Sequence, residues 1–312
     1  MRAAGASLRR STVARAAVVA VSAAVAVGIA ALAANRGPEP THEIAFDFRT
    51  HQPIIPVRVG GGEPVPFVFD TGASIHVIDE EIARRAGVTG GSERTMFGGG
   101  LAAARSRWVD GLTLRAGGLE WKGQRAAIVD LGYPKRKHFA GMFGAPILMR
   151  YTVQFHFERR VMRLIDPAAY TPPAKATRVN FELDEDLPIV RALVDAGNGP
   201  IEARLMVDTG AGADVDLNRP FVDAHGLLAA MPNAKPVDRP AGIGGTSPFL
   251  YATGKSVTLG GLVFERPLIG LSRATSGSSS RSERDGVLGN DLLRRFVVTF
   301  DYRRRTLVLD PL

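Results

Sequence analysis

The tripeptide Asp-Thr-Gly closes an apolar run twice in this chain, in PFVFDTGAS (66–74) and in LMVDTGAG (205–212), and the surrounding sequence repeats with it. FDFRTHQPIIPVRVGGGEPVPFVFDTGA (46–73) aligns with FELDEDLPIVRALVDAGNGPIEARLMVDTGA (181–211), and GMFGAPILMRYTVQFHFERRVMRLID (141–166) with GVLGNDLLRRFVVTFDYRRRTLVLD (286–310). The offset is 138 at Asp70 and Asp208, 143 at Gly117 and Gly260, and 144 at Asp166 and Asp310. Offsets this constant leave room only for small insertions, so the chain is expected to fold as two equivalent halves from an internal duplication. With 312 residues, 45% of them hydrophobic, it can bury one large core or two small ones.

Each half is rich in short strands. TVQFHF and VVTFDY alternate, IIPVRV is β-branched, and GGG and NG mark turns. Helical signals are sparse: the clearest covers 79–88, with acids at its start, arginines in its last turn and Gly87 as a stop, and shorter ones begin near Pro146 and Asn290. The expectation is an all-β fold with a few short helices, in which 42–168 and 177–312 each form a barrel. The proline-bearing stretch 169–176 links them.

Residues 16–34 are 19 uncharged, alanine-rich residues behind Arg2, Arg9, Arg10 and Arg15, so 1–34 read as a signal peptide or an N-terminal membrane anchor. Ala31-Leu32-Ala33 offers a small-x-small cleavage site. Either way the remainder is expected to be exported to the periplasm, soluble or anchored in the inner membrane through 16–34. The formal charge of +8 lies about half in those four arginines, and the Arg303–Arg305 triplet has no interleaved aromatic platform, which argues against a nucleic-acid partner. The absence of cysteine excludes a disulfide framework and thiol chemistry.

An aspartate ending an apolar strand is costly unless hydrogen-bonded or used as a charge. The following glycine permits a tight turn whose N–H groups reach the carboxylate, and the threonine hydroxyl offers another partner. Halves related by a twofold axis would bring Asp70 and Asp208 face to face, where two carboxylates share one proton. The charged member can take a proton from water while the protonated one hydrogen-bonds the carbonyl under attack, so acid and base are present with no metal and no cofactor.

These motifs resemble the aspartic peptidases, pepsin-like and retropepsin-like. The family signature is apolar-apolar-Asp-Thr-Gly with a later apolar-apolar-Gly, here FVFDTGA with GMFG and LMVDTGA with GVLG, and the resemblance covers nearly everything after residue 42. The DTGA form at Ala73 and Ala211 is similar to bacterial exported proteins built of two retropepsin-like units. The resemblance implies a bilobal acid-protease-like fold and an endopeptidase whose catalytic Asp70 and Asp208 come one from each lobe. Thr71 and Thr209 would interlock the loops, and the amides of Gly72 and Gly210 would bind the carboxylates. A peptide or protein substrate follows, and a monomer, since one chain carries both halves. The pepsin flap tyrosine is missing from TMFGGGLAAARSRW (95–108). Phe97, Gly98, Gly99 and Gly100 are the candidate flap, with Phe97 or Trp108 covering substrate, and Gly244 and Gly245 are its counterpart.

The Ser-rich segment 272–285 reads as a mobile polar loop. His76 reads as a wall or surface histidine, Asp214 and Asp216 as an acidic rim or solvated strand positions, and His138, His156 and His225 lack metal spacing. The competing function is a non-catalytic envelope protein that holds extended peptides in the same cleft.

Overall fold

Alternation in the sequence becomes alternation in burial. Ile55, Val57 and Val59 of IIPVRV point inward while Pro56 and Arg58 face solvent. The computed structural model describes residues 41–135 and 137–312, so the leader read as signal peptide or anchor lies outside the described residues. Thr41–Leu312 forms one compact unit.

The first half comprises β1 (His42–Ala45), β2 (Ile54–Val59), β3 (Val65–Phe69), β4 (His76–Asp79), α1 (Glu80–Arg85), β5 (Ser92–Met96), β6 (Ala104–Ala116), β7 (Leu119–Val129), β8 (Gly141–Phe143), α2 (Ala145–Leu148), β9 (Thr152–His156) and β10 (Val161–Ile165). The second comprises β11 (Thr177–Asn180), β12 (Glu182–Asp184), β13 (Leu187–Asp195), β14 (Pro200–Val207), β15 (Val215–Leu217), α3 (Arg219–Ala224), α4 (Leu227–Ala230), β16 (Lys235–Pro240), β17 (Thr246–Thr253), β18 (Ser256–Leu259), β19 (Leu262–Glu265), β20 (Leu268–Ser272), β21 (Gly286–Leu288), α5 (Asn290–Leu293), β22 (Phe296–Asp301) and β23 (Thr306–Pro311). Among the described residues strands dominate and every helix is short, as an acid-protease-like all-β fold requires.

The sheet of the first half runs β2-β3-β8-β4-β7-β6-β5. That of the second contains β13-β14-β21-β15-β20-β17-β16, the same order, with β18 and β19 added beyond β13 and β12 paired to it. In both, a three-residue strand threads between two others: β8 is parallel to β3 and antiparallel to β4, and β21 is parallel to β14 and antiparallel to β15. Helix α1 starts where the acids and arginines place it. Asp79 caps it by accepting from the Glu81 N–H at 3.0 Å, and Gly87 follows at φ +68°.

One arrangement is not announced by periodicity. The first half's sheet closes into a barrel through β2 against β6, while the alternating pairs at the end of each half leave its own sheet and join in a common six-stranded sheet, β1-β10-β9-β22-β23-β11, with β9 against β22 at the seam. Behind the seam an aromatic line runs from Phe143 through Phe69 and Phe155 to Phe300, with ring centroids 5.9, 5.4 and 6.1 Å apart. All four rings are fully buried. Phe155 therefore holds the first half to the second as well as to its own sheet. Phe155→Ala should lower unfolding free energy by about 3–5 kcal/mol in denaturant titration; a loss below about 1 kcal/mol would mean the halves do not lean on this ring.

Candidate active site

Each Asp-Thr-Gly sits where a strand ends against the threading strand. Strand β3 stops at Phe69 and the Asp70 N–H donates to Phe143 O at 3.1 Å; β14 stops at Val207 and the Asp208 N–H donates to Leu288 O at 2.9 Å. Below the loops, the N–H of Ala145 donates to Ala73 O at 2.8 Å and that of Asn290 to Ala211 O at 2.9 Å. A Cβ on Gly144 would collide with Ala73 O, and one on Gly289 with Ala213 O. This close passage is the physical reason for a glycine at the end of GMFG and of GVLG.

The threonines do not turn to their own carboxylates, as the local reading offered. Thr71 Oγ1 donates to Val207 O at 2.7 Å and accepts from the Thr209 N–H at 2.9 Å; Thr209 Oγ1 donates to Phe69 O at 2.6 Å and accepts from the Thr71 N–H at 3.1 Å. Both threonines are fully buried. Four hydrogen bonds thus cross between the loops, in the interlock implied by the family resemblance.

Gly72 and Gly210 donate to their own loops' carboxylates, Asp70 Oδ1 at 2.9 Å and Asp208 Oδ1 at 2.6 Å. Neither needs a positive φ. What each needs is space: a Cβ on Gly72 would stand 2.6 Å from Asp208 Cγ, and one on Gly210 2.7 Å from Asp70 Cγ. Each glycine is fixed by the carboxylate opposite. Asp70 and Asp208 are thereby brought together, each half-buried.

Burial pushes both carboxyls up. Asp70 goes well above the usual carboxylate range because the Asp208 charge stands beside it as well. Asp208 rises too, but its hydrogen bond with Asp70, the Gly210 N–H and the Arg239 charge oppose burial. Two carboxyls so placed titrate as a unit and share one proton between them.

The candidate flaps meet each other. Residues 97–103 are the tip of the β5–β6 hairpin and 241–245 the tip of β16–β17. The Gly100 N–H donates to Ile243 O at 2.8 Å and the Ala102 N–H to Gly244 O at 2.9 Å. Gly98 abuts Ile243, Gly99 faces Ala241, and Gly245 carries φ +87° in the opposing tip. The loop read as polar and mobile packs here as well: the Ser278 N–H donates to Gly98 O at 2.9 Å and Ser276 Oγ to Leu101 O at 2.6 Å. Phe97 is half exposed beneath Arg281. Trp108 lies lower, against a buried cluster of Val77, Met142 and Ile243 that Ala73 also touches. Cavities of about 440 and 750 Å³ lie elsewhere, and neither is lined by an Asp-Thr-Gly residue.

Residues 55–147 match the family model of aspartyl proteases. No curated protein matches the chain. The matched stretch holds the first Asp-Thr-Gly, the first flap and GMFG, and together with the barrel-rich all-β fold it supports an aspartic protease-like family.

Within that aspartyl protease-like frame, three sequence readings need correction. His76 is not at the surface: it is fully buried, stacked on Phe143 at 4.8 Å, and its Nδ1 accepts the Gly144 N–H at 3.1 Å while Nε2 faces Gln124 Oε1 at 3.3 Å. Asp214 and Asp216 are buried, not solvated. Asp214 accepts from Arg295 at 3.1 Å and from the Leu268 N–H at 2.9 Å. Asp216 holds Tyr251 and Arg239. Sequence reasoning also missed Arg239, Tyr251, Ile243 and Asn290. The Asn290 side chain donates to Thr209 O at 2.6 Å and to His51 O at 2.7 Å, bracing the second loop. A position-by-position comparison of the halves would have flagged Arg239 and Asn290, which stand where the first half has Met96 and Ala145. Among the described residues no cluster of His, Asp or Glu side chains could hold a metal ion.

Two stability measurements follow. Because the folded-state pKa of Asp70 is raised, its contribution is fully favourable below the unfolded value of 3.8 and is lost as pH rises through the folded value. Asp70→Asn should raise the melting temperature at pH 7, with the gain shrinking toward pH 4; a destabilised variant at pH 7 would contradict the assigned direction.

Burial lowers His76 from 6.5 to about 4. The unfolded chain therefore takes up its proton across that window while the fold does not, and stability falls as pH drops from 6.5 to 4. In His76→Asn this loss should shrink by about 3 kcal/mol, read from denaturant titrations at pH 7 and 4; an unchanged pH dependence would mean the imidazole is not held neutral.

Proposed function

We propose that this protein is an aspartic endopeptidase whose catalytic pair is Asp70 and Asp208. The observation that carries the reading is the mutual fit of the two loops, in which each glycine has room only because it faces the other loop's carboxylate. The charged member of the pair takes a proton from a water molecule as its oxygen attacks the scissile carbonyl carbon, and the protonated member donates a hydrogen bond to the carbonyl oxygen. The tetrahedral intermediate then collapses, the C–N bond breaks, and the nitrogen leaves with a proton from the pair. Thr71 and Thr209 keep the loops in register, and Gly72 and Gly210 orient the carboxylates. Both halves of the site come from one chain, which acts as a monomer on peptide or protein substrates. The leader at 16–34 favours work outside the cytoplasm, with or without a retained anchor.

The meeting of the flap tips favours a second reading, a binding protein whose cleft stays shut to catalysis. Incubation of the protein with a diverse peptide library across pH, with and without pepstatin, separates the two. The expected outcome is pepstatin-sensitive cleavage with an optimum at weakly acidic pH, in keeping with the raised carboxyls. Asp70→Asn and Asp208→Asn should each remove most turnover, roughly 10³-fold or more, and the double variant should be little worse because the pair acts as one unit. Full turnover in either single variant would sink the dyad, and peptide binding without any cleavage would favour the second reading.

A further inference from the structure

The two inner sheet faces have the same backbone and opposite chemistry. On β4, Val77 lies opposite Ala127 of β7 and Met142 of β8; on β15, Asp216 lies opposite Gly270 of β20 and Val287 of β21. Trp108 of β6 faces Ala127 as Tyr251 of β17 faces Gly270. Met96 of the first flap pairs with Ala104 as Arg239 of the second pairs with Ser247. Three equivalent positions thus read Val77, Trp108, Met96 in one half and Asp216, Tyr251, Arg239 in the other.

What each face accepts follows from what it holds. The first is apolar and buries Ile243, the tip residue of the opposite flap, among Val77, Ala127 and Met142. A substrate that parts the flaps must replace Ile243 there, and an aliphatic side chain fills that space at least cost. In the second face Tyr251 Oη donates to Asp216 Oδ1 at 2.7 Å, Arg239 Nη1 donates to Tyr251 Oη at 3.1 Å, and the same Nη1 pairs with Asp216 Oδ2. A Cβ on Gly270 would strike both Asp216 and Tyr251, so the glycine makes room for the network. Both Asp216 oxygens are engaged and its side chain is 8% exposed, whereas that of Arg239 is 25% exposed. A ligand entering under the second flap meets the guanidinium, with unused donors, and not the carboxylate.

We infer that Arg239, held by Asp216 and Tyr251, is a specificity-determining residue that selects an acidic side chain on the second half's side of the scissile bond, opposite an aliphatic one on the first. The inference rests on the peptidase reading. A carboxylate is the side chain that gains a charge-assisted, planar pairing with the free edge of an arginine.

The test uses the full chain and peptides carrying a fixed aliphatic residue on one side of the central bond and Glu, Gln or Lys on the other, in both orders. In one order Glu should be cleaved with kcat/KM roughly tenfold or more above Gln, and Lys should be worst. In Arg239→Met the Glu-to-Gln ratio should fall to about one. Because that change strands Asp216, the double variant Asp216→Val with Arg239→Met, which installs the first half's pair, is measured alongside and should give the same ratio. Equal cleavage of Glu and Gln by the wild type, or a Glu preference that survives in the folded double variant, would overturn the inference while leaving the peptidase reading intact. Failure of the wild type to cleave any peptide would overturn both.

Discussion

Everything at the centre of this molecule depends on the contact between two loops that come from opposite halves of the chain. Four hydrogen bonds through Thr71 and Thr209 set their separation, and at that separation each glycine leaves just enough space for the other loop's carboxylate. Two acids are thereby confined where ionising both is unfavourable. The stability given up there is supplied elsewhere, by threading strands β8 and β21 beneath the loops and by the shared sheet with its aromatic line.

Much of this was legible in the sequence. The repeated segments take the same strand order in both sheets, the alternating segments became strands, and the charges around 79–88 placed α1 between Asp79 and Gly87. The candidate residues Asp70, Asp208, Thr71, Thr209, Gly72 and Gly210 do converge. The physical role of the glycines was not legible, because close approaches between residues as far apart as Gly72 and Asp208, or Asp70 and Gly210, leave no local trace. The destination of the closing hairpins was hidden for a related reason: TVQFHF and VVTFDY specify strands, but not which partner each strand takes. His76, Asp214 and Asp216 misled because a polar residue in or beside a short strand usually marks the wet face, whereas here each is buried with a dedicated partner.

Closure of the site is equally a matter of glycine-rich segments meeting. The flap tips exchange backbone hydrogen bonds with each other, and the Ser-rich segment adds bonds of its own to the first flap. These contacts rest on backbone groups and serine hydroxyls at chain tips, with little apolar burial apart from Ile243. Such contacts belong to the low-stability end of a fold, where local opening is cheapest.

The unlike inner faces carry a consequence for molecules made to fill the cleft. An enzyme assembled from two identical subunits presents the same walls on both sides of its axis, so a compound with twofold symmetry can satisfy both at once. Here one wall offers Val77, Trp108 and Met96 and the other Asp216, Tyr251 and Arg239. A symmetric inhibitor would match one wall and forfeit the other, leaving either the guanidinium's remaining donors without an acceptor or a polar group against hydrocarbon. On the peptidase reading, tight ligands held between these walls should therefore be directional, reading differently from their two ends.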